Sequence, residues 1–290
     1  MATVEICFDT SAINALSDDP EKVSITARIR GSHRALVTSV NIVEVVATPD
    51  SGRRRVLLET LRGLSDGSRP LVMPNKLVRR AIRAFAFPRK GFTAEIGDED
   101  AAVWNLLTDP DAAGVAEQSS YLEWKEKLER DFTDSHRRAR DGYQAMIEQN
   151  PTLRPRSFSH ILKAYREQGA DAVYATIKHV YKNEARRDLA RDAMWRLLER
   201  VPHLLLYSAG WLHEIFHRAV RESHYSAKGK PGTLDLWCAV YLPHCDILVT
   251  RDRGQYKALR ILNALSRRMP PTTTRTRVST YNRFRREILA

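Results

Sequence analysis

Residues 246–252 read Asp-Ile-Leu-Val-Thr-Arg-Asp, a short apolar run that ends on a threonine and drops onto an acid. The chain opens in the same way, with Val4-Glu5-Ile6-Cys7-Phe8 running into Asp9-Thr10-Ser11. Two buried-type strands, one near each end of a 290-residue chain, each deliver a carboxylate at their C-terminal end. That pattern narrows the fold sharply. In an open parallel sheet the ligand crevice lies outside the carboxyl ends of the strands, so acids from distant parts of the chain can meet only there.

The intervening sequence supports such a sheet. Val4–Phe8 and Ala35–Thr38 read as strands, each followed by a helical period at Ser11–Leu16 and Ser39–Ala47. Further helices are expected at Arg53–Leu64, Leu77–Phe87 and Tyr256–Leu265, a weak strand at Leu71–Met73, and strands at Ile247–Thr250 and Arg277–Thr280. Alternating strands and helices imply an α/β fold, a three-layer α/β/α arrangement around a mainly parallel central sheet. Beyond about residue 89 the strand signals stop. Charged segments of helical period (Ser120–Glu148, Ala170–Leu198, Ala209–Glu222) take over, separated by Asn150-Pro151 and Arg154-Pro155. The expected organisation is a discontinuous α/β domain, residues 1–88 plus 227–290, interrupted by an all-α insertion at 89–226. Tyr121, Trp124, Leu128 and Phe132 form an apolar stripe at helical spacing that would anchor the insertion.

Charge bears on partners. The net charge is +12, and residues 251–290 hold eleven basic side chains against two acidic ones. Clustered Lys and Arg neutralise phosphates and release counterions, so a polyanionic partner is expected; a merely solvated basic tail is the alternative. No apolar run approaches the length of a membrane span, and no signal-peptide pattern opens the chain. Three cysteines (Cys7, Cys238, Cys245) make no paired framework and suit reduced, buried thiols in a cytoplasmic protein.

Four acids carry candidate chemistry. Asp9 stands where it could also be a helix N-cap. Glu44 lies in Ser39–Thr48, an apolar helix in which Asn41, Glu44 and Thr48 form the one polar stripe; a carboxylate there needs a cation or a salt-bridge partner. Asp235 sits in Gly232–Leu242, near the start of an expected apolar helix, where the helix dipole alone would favour an acid. Asp252 follows seventeen residues later, an interval that suits a helix, a turn and a strand.

The runs Ile-Cys-Phe-Asp-Thr-Ser-Ala-Ile-Asn (6–14), Thr-Ser-Val-Asn-Ile-Val-Glu-Val-Val (38–46) and Leu-Asp-Leu-Trp-Cys-Ala-Val-Tyr-Leu-Pro-His-Cys-Asp-Ile-Leu-Val-Thr-Arg-Asp (234–252) together resemble PIN-domain nucleases. The resemblance implies a quartet, Asp9, Glu44, Asp235 and Asp252, that binds Mg2+ or Mn2+ and hydrolyses RNA phosphodiesters. Ser11, Asn41 and Thr250 fall where small polar neighbours of the acids are expected. Lys228, Lys230, Arg251 and Arg253 lie beside the acids in sequence and are candidates to hold substrate phosphates. Toxin-type members of the family would add an antitoxin protein as partner, and self-association is left open. The long helical insertion departs from the compact family pattern.

Two other readings compete. His213-Glu214-Ile215-Phe216-His217 is an H-E-x-x-H pentad, the pattern with which zinc metalloproteases place two histidines one turn apart on the metal. Its extension fails: Val220 and Ser223 occupy the positions of the expected glycine and third histidine. The other reading is a PIN-like protein that binds RNA without cutting it.

Overall fold

The computed structural model describes residues 3–98, 101–109, 115–151, 158, 171–214, 216, 233–266 and 276–290. Four strands, β1 (Val4–Phe8), β2 (His33–Leu36), β3 (Ile247–Thr250) and β4 (Arg277–Thr280), form one sheet in the order β2-β1-β3-β4. Every pairing is parallel. The register sets Cys7 opposite Leu36 on one side and Leu248 on the other, so the two ends of the chain are zipped together at the centre of the sheet.

Side chains alternate across a strand, and here both faces are apolar. Cys7, Leu36, Leu248 and Val278 enter one core, while Ile6, Phe8, Ala35 and Val249 enter the other. The second core is closed by α1 (Thr10–Ser17), α2 (Lys22–Ser32), α4 (Ser51–Ser65) and the C-terminal α13 (Tyr281–Leu289), through Ile13, Leu16, Ile25, Ile29, Leu57, Leu61 and Phe284. Phe284 meets Phe8 edge to face at 5.3 Å. The first core is closed by α5 (Pro74–Ala86), α8 (Asp171–Ala185), α9 (Ala193–Arg200), α10 (Pro202–Glu214) and α12 (Arg253–Ser266). Helices therefore cover both faces of the sheet, the layering that the alternating pattern predicts. Among the described residues no helix is long and apolar enough to cross a membrane.

Helices expected as an insertion share the sheet's own core. Ile177, Leu197, Leu204 and Leu206 pack in one cluster with Cys7 and Leu248. The 35-residue α7 (Val115–Gln149) does something different. Its Tyr121 packs against one core and its Leu128 against the other, so this helix reaches both apolar clusters. Trp124, from the same predicted stripe, is 36% exposed, and Phe132 lies outside the described side chains.

Three local expectations are corrected. Leu71–Met73 is no strand: it contributes isolated bridges from Leu71 to Thr38 and to Glu95, and Pro70 and Pro74, which lack an N–H, bracket it. The apolar run after Thr233 forms only a five-residue α11 (Thr233–Trp237) and then tightens into a 3-10 segment, Cys238–His244, that contains Pro243. The span 170–198 is two helices, broken where Arg186 adopts a positive φ of 56°.

Candidate functional site

The strands hand over to helices in a repeated way. Asp9, directly after β1, is the N-cap of α1, its Oδ1 accepting from Ala12 N–H at 2.7 Å. Thr38, shortly after β2, caps α3 (Ser39–Val46) in a reciprocal capping box with Asn41. Asp252, after β3, accepts from Gln255 N–H at 2.6 Å at the start of α12. Three helix N-termini thus gather at the C-terminal edge of one parallel sheet, where their unpaired N–H groups and dipoles favour negative charge. That is why the acids can be there at all.

Asp9 is the most confined of them, only 3% exposed. Ser11 Oγ donates to its carboxylate at 2.8 Å and accepts the backbone N–H groups of Arg251 and Asp252 at 2.8 and 3.2 Å. Thr250 Oγ1 lies 2.8 Å from Asp9 Oδ2 and 2.6 Å from Gln255 Oε1. One hydroxyl proton serves one acceptor. The Gln255 amide cannot simply be reversed, because its Nε2 donates to the Asp235 carbonyl at 3.1 Å. Burial, with a smaller contribution from the Glu44 charge, pushes the Asp9 carboxyl up to about 7 against the lowering effect of its hydrogen-bond donors. A proton on Asp9 resolves the conflict: Asp9 donates to Thr250, and Thr250 to Gln255. A cation would do the same electrostatic work.

Glu44 projects from α3 toward this centre. Its Oε2 accepts from Thr10 Oγ1 at 2.5 Å, and its Oε1 lies 3.7 Å from Lys125 Nζ on α7. Asn41 donates to the Phe8 carbonyl at 3.1 Å, tying α3 to the end of β1. Asp235 stands on α11, half-buried. Cys238, buried one turn away, has its thiol pushed well up by burial first and then by the charges of Asp9 and Asp235, with smaller contributions from Cys7 and Glu44. Glu44 is tied to the Asp9–Thr10 turn through Thr10, and the Asp235 backbone carbonyl is linked to Asp9 through Gln255 and Thr250. Asp252 is exposed at the rim and reaches the others through its backbone N–H, which donates to Thr250 Oγ1 at 3.0 Å.

Asp9, Glu44 and Asp235 thus belong to one neighbourhood, with Ser11, Asn41 and Thr250 as its hydrogen-bonding frame. Among the described residues, no three His, Cys, Asp or Glu side chains form a ready-made metal group. The donor set is all oxygen, the chemistry a hard divalent cation takes.

Three participants were not singled out from sequence: Thr10, Gln255 and Lys125. Gln255 was within reach, since Asp252-x-x-Gln255 has the spacing of a capping box. Lys125 had no local signal; only folding brings α7 to α3.

The basic residues divide. Arg251 and Arg253 are exposed beside the acids, and Arg251 borders a surface groove with Arg285, Arg286 and Asp18. Lys228 and Lys230 lie outside the described residues. Among the described residues, three of the C-terminal arginines are paired within the chain: Arg277 and Arg283 bind Glu287, and Arg285 binds Asp19 and Glu21. Of the H-E-x-x-H pentad, His213 and Glu214 are buried in α10, at 5% and 1% exposure, with Phe158 edge-on to the imidazole; His217 lies outside the described residues. A catalytic zinc keeps an open coordination position, whereas burial of this degree is what packing produces.

Comparison of the chain with family models, curated proteins and solved structures returns no match. The functional reading therefore rests on the residues and their geometry.

Proposed function

We propose that this chain is a PIN-like, Mg2+- or Mn2+-dependent endoribonuclease. The supporting observation is the buried Asp9 carboxyl at the C-terminal end of β1, beside Glu44 and linked through Thr250 and Gln255 to Asp235 and Asp252. Asp9 and Asp235 would be principal ligands, with Glu44 and Asp252 completing the set or orienting water. A bound divalent cation supplies a water of lowered pKa and charge stabilisation for an in-line displacement at phosphorus. Ser11 and Thr250 hold the Asp9 carboxylate in one orientation. Arg251 and Arg253 are placed to meet substrate phosphates, and the net charge of +12 favours approach of a polyanion.

Asp9→Asn and Asp235→Asn are each expected to reduce cleavage of a single-stranded RNA in Mg2+ or Mn2+ by at least about a hundredfold, the scale of losing charge stabilisation at a reacting centre. EDTA should stop the wild-type reaction. Undiminished cleavage by both variants would remove the assignment. Toxin–antitoxin membership is a narrower extension of the same reading, tested by whether expression of wild-type but not Asp9→Asn protein arrests growth.

A further inference from the structure

Resting on the ribonuclease reading, we infer that the aromatic hollow between α7, α10 and α11 takes an unpaired base of the RNA, the one next to the scissile phosphate. The hollow is lined by Leu128 and Asp131 of α7, Tyr207 and Trp211 of α10, and Leu236 and Trp237 of α11. Its volume is about 240 Å³, below the roughly 300–1,000 Å³ of pockets for drug-sized ligands and suited to one flat ring system. Tyr207 and Trp237 form a fixed wall. Their ring centroids lie 5.8 Å apart at 30°.

Position argues for RNA over any other apolar occupant. Leu236 and Trp237 follow Asp235 directly on α11. Successive helix positions turn by about 100°, so Leu236 and Trp237 face away from the Asp235 carboxylate, and the hollow lies a step removed from it, where a neighbouring nucleotide's base would fall. Charge argues the same way. On α7, Lys125, Leu128 and Asp131 follow one another at three-residue spacing along one side of the helix. Lys125 lies at Glu44, within reach of a backbone phosphate, and the exposed Asp131 carboxylate at the hollow can accept from base N–H groups. A cation toward the phosphates, an aromatic wall for the ring and an acceptor for its edge match the three parts of a nucleotide. Stacking on aromatic side chains is the general means of holding unpaired bases, and it tolerates any sequence.

The test measures binding apart from cleavage. In EDTA, a labelled single-stranded RNA, the same strand carrying abasic positions, and its duplex are titrated by fluorescence anisotropy against wild type, Trp211→Ala, Trp211→Phe, Leu128→Trp and Asp9→Asn. Wild type and Asp9→Asn should bind the intact strand more tightly than the abasic strand or the duplex, with quenching of tryptophan fluorescence. Trp211→Ala should lose about 5- to 160-fold on the intact strand, the range of base–aromatic stacking, and bind it no better than the abasic one. Trp211→Phe should recover most of that loss. Leu128→Trp, which fills the hollow from its other wall without removing an aromatic, should match Trp211→Ala. Equal affinity of wild type for intact and abasic strands, or unchanged discrimination in both Trp211→Ala and Leu128→Trp, overturns the assignment even if the protein cleaves RNA. Discrimination without metal-dependent cleavage would instead sink the nuclease reading and leave the base site standing.

Discussion

Ser11 shows how much of this site is carried by small groups. Its single hydroxyl donates to Asp9 and accepts two backbone N–H groups from the Arg251–Asp252 turn, joining the first strand's end to the third's. Ser11→Ala leaves those groups without their partner in a partly buried place. The expected loss is about 1–3 kcal/mol, read as a lower urea midpoint at unchanged m-value, together with reduced cleavage. Acid sensitivity has a separate origin. His203 Nε2 and His244 Nε2 lie 2.7 Å apart with Phe92 against both rings. Burial drives His203 down to about 3 and His244 to about 4. Both folded values lie below the unfolded value of about 6.5, so the unfolded chain takes up protons first. Their stability is present above pH 6.5 and is lost as pH falls toward 4, at up to about 1.4 kcal/mol per pH unit for each group. Metal-free Asp9 has the opposite sign. Its folded value, about 7, lies above the unfolded one, so it adds stability as pH falls through the same window. Urea midpoints in EDTA between pH 4.5 and 7 should therefore drop less steeply for His203→Phe than for wild type, and more steeply for Asp9→Asn. Parallel profiles for all three proteins would contradict this account.

At the scale of elements, the repeated unit is a strand whose last residues cap the next helix. Asp9, Thr38 and Asp252 do so after β1, β2 and β3. Thr38→Ala should cost about 1–2 kcal/mol by chemical denaturation, and it should also lower activity, because the capping box orients Asn41 and hence the α3 face that carries Glu44. These units were legible in the sequence because their signals are local. An apolar run, a capping residue and an amphipathic period lie within about a dozen residues, and the limits of β3 and β4 match the expected ones. Elements with weak local signals were not legible. α2 buries only Ile25 and Ile29 within a polar run, and α13 hides Tyr281 and Phe284 among arginines and a lysine-free charged face. Their helicity is set by what they pack against, not by propensity.

For the whole molecule, the decisive fact is shared cores. Leu206 of α10 is fully buried in one cluster with Cys7 and Leu248, so the central helical region stabilises the sheet itself. Leu206→Ala should cost about 2–5 kcal/mol and lower a single unfolding transition seen alike by far-UV circular dichroism and tryptophan fluorescence. Two separated transitions would instead mean that the helical region folds on its own. What the amino-acid sequence determined unaided was the menu of parts: an α/β chain, acids at strand ends, helices with apolar stripes. Hydrophobic period and capping chemistry act over a few residues, so a linear reading captures them. Only the tertiary structure decided that the strand at residue 4 pairs with the one at residue 247, that Lys125 meets Glu44, and that Arg277, Arg283 and Arg285 pair with Glu287, Asp19 and Glu21. Contacts across such separations depend on closing long loops and excluding water from two faces at once. No local pattern encodes which surfaces will be buried together.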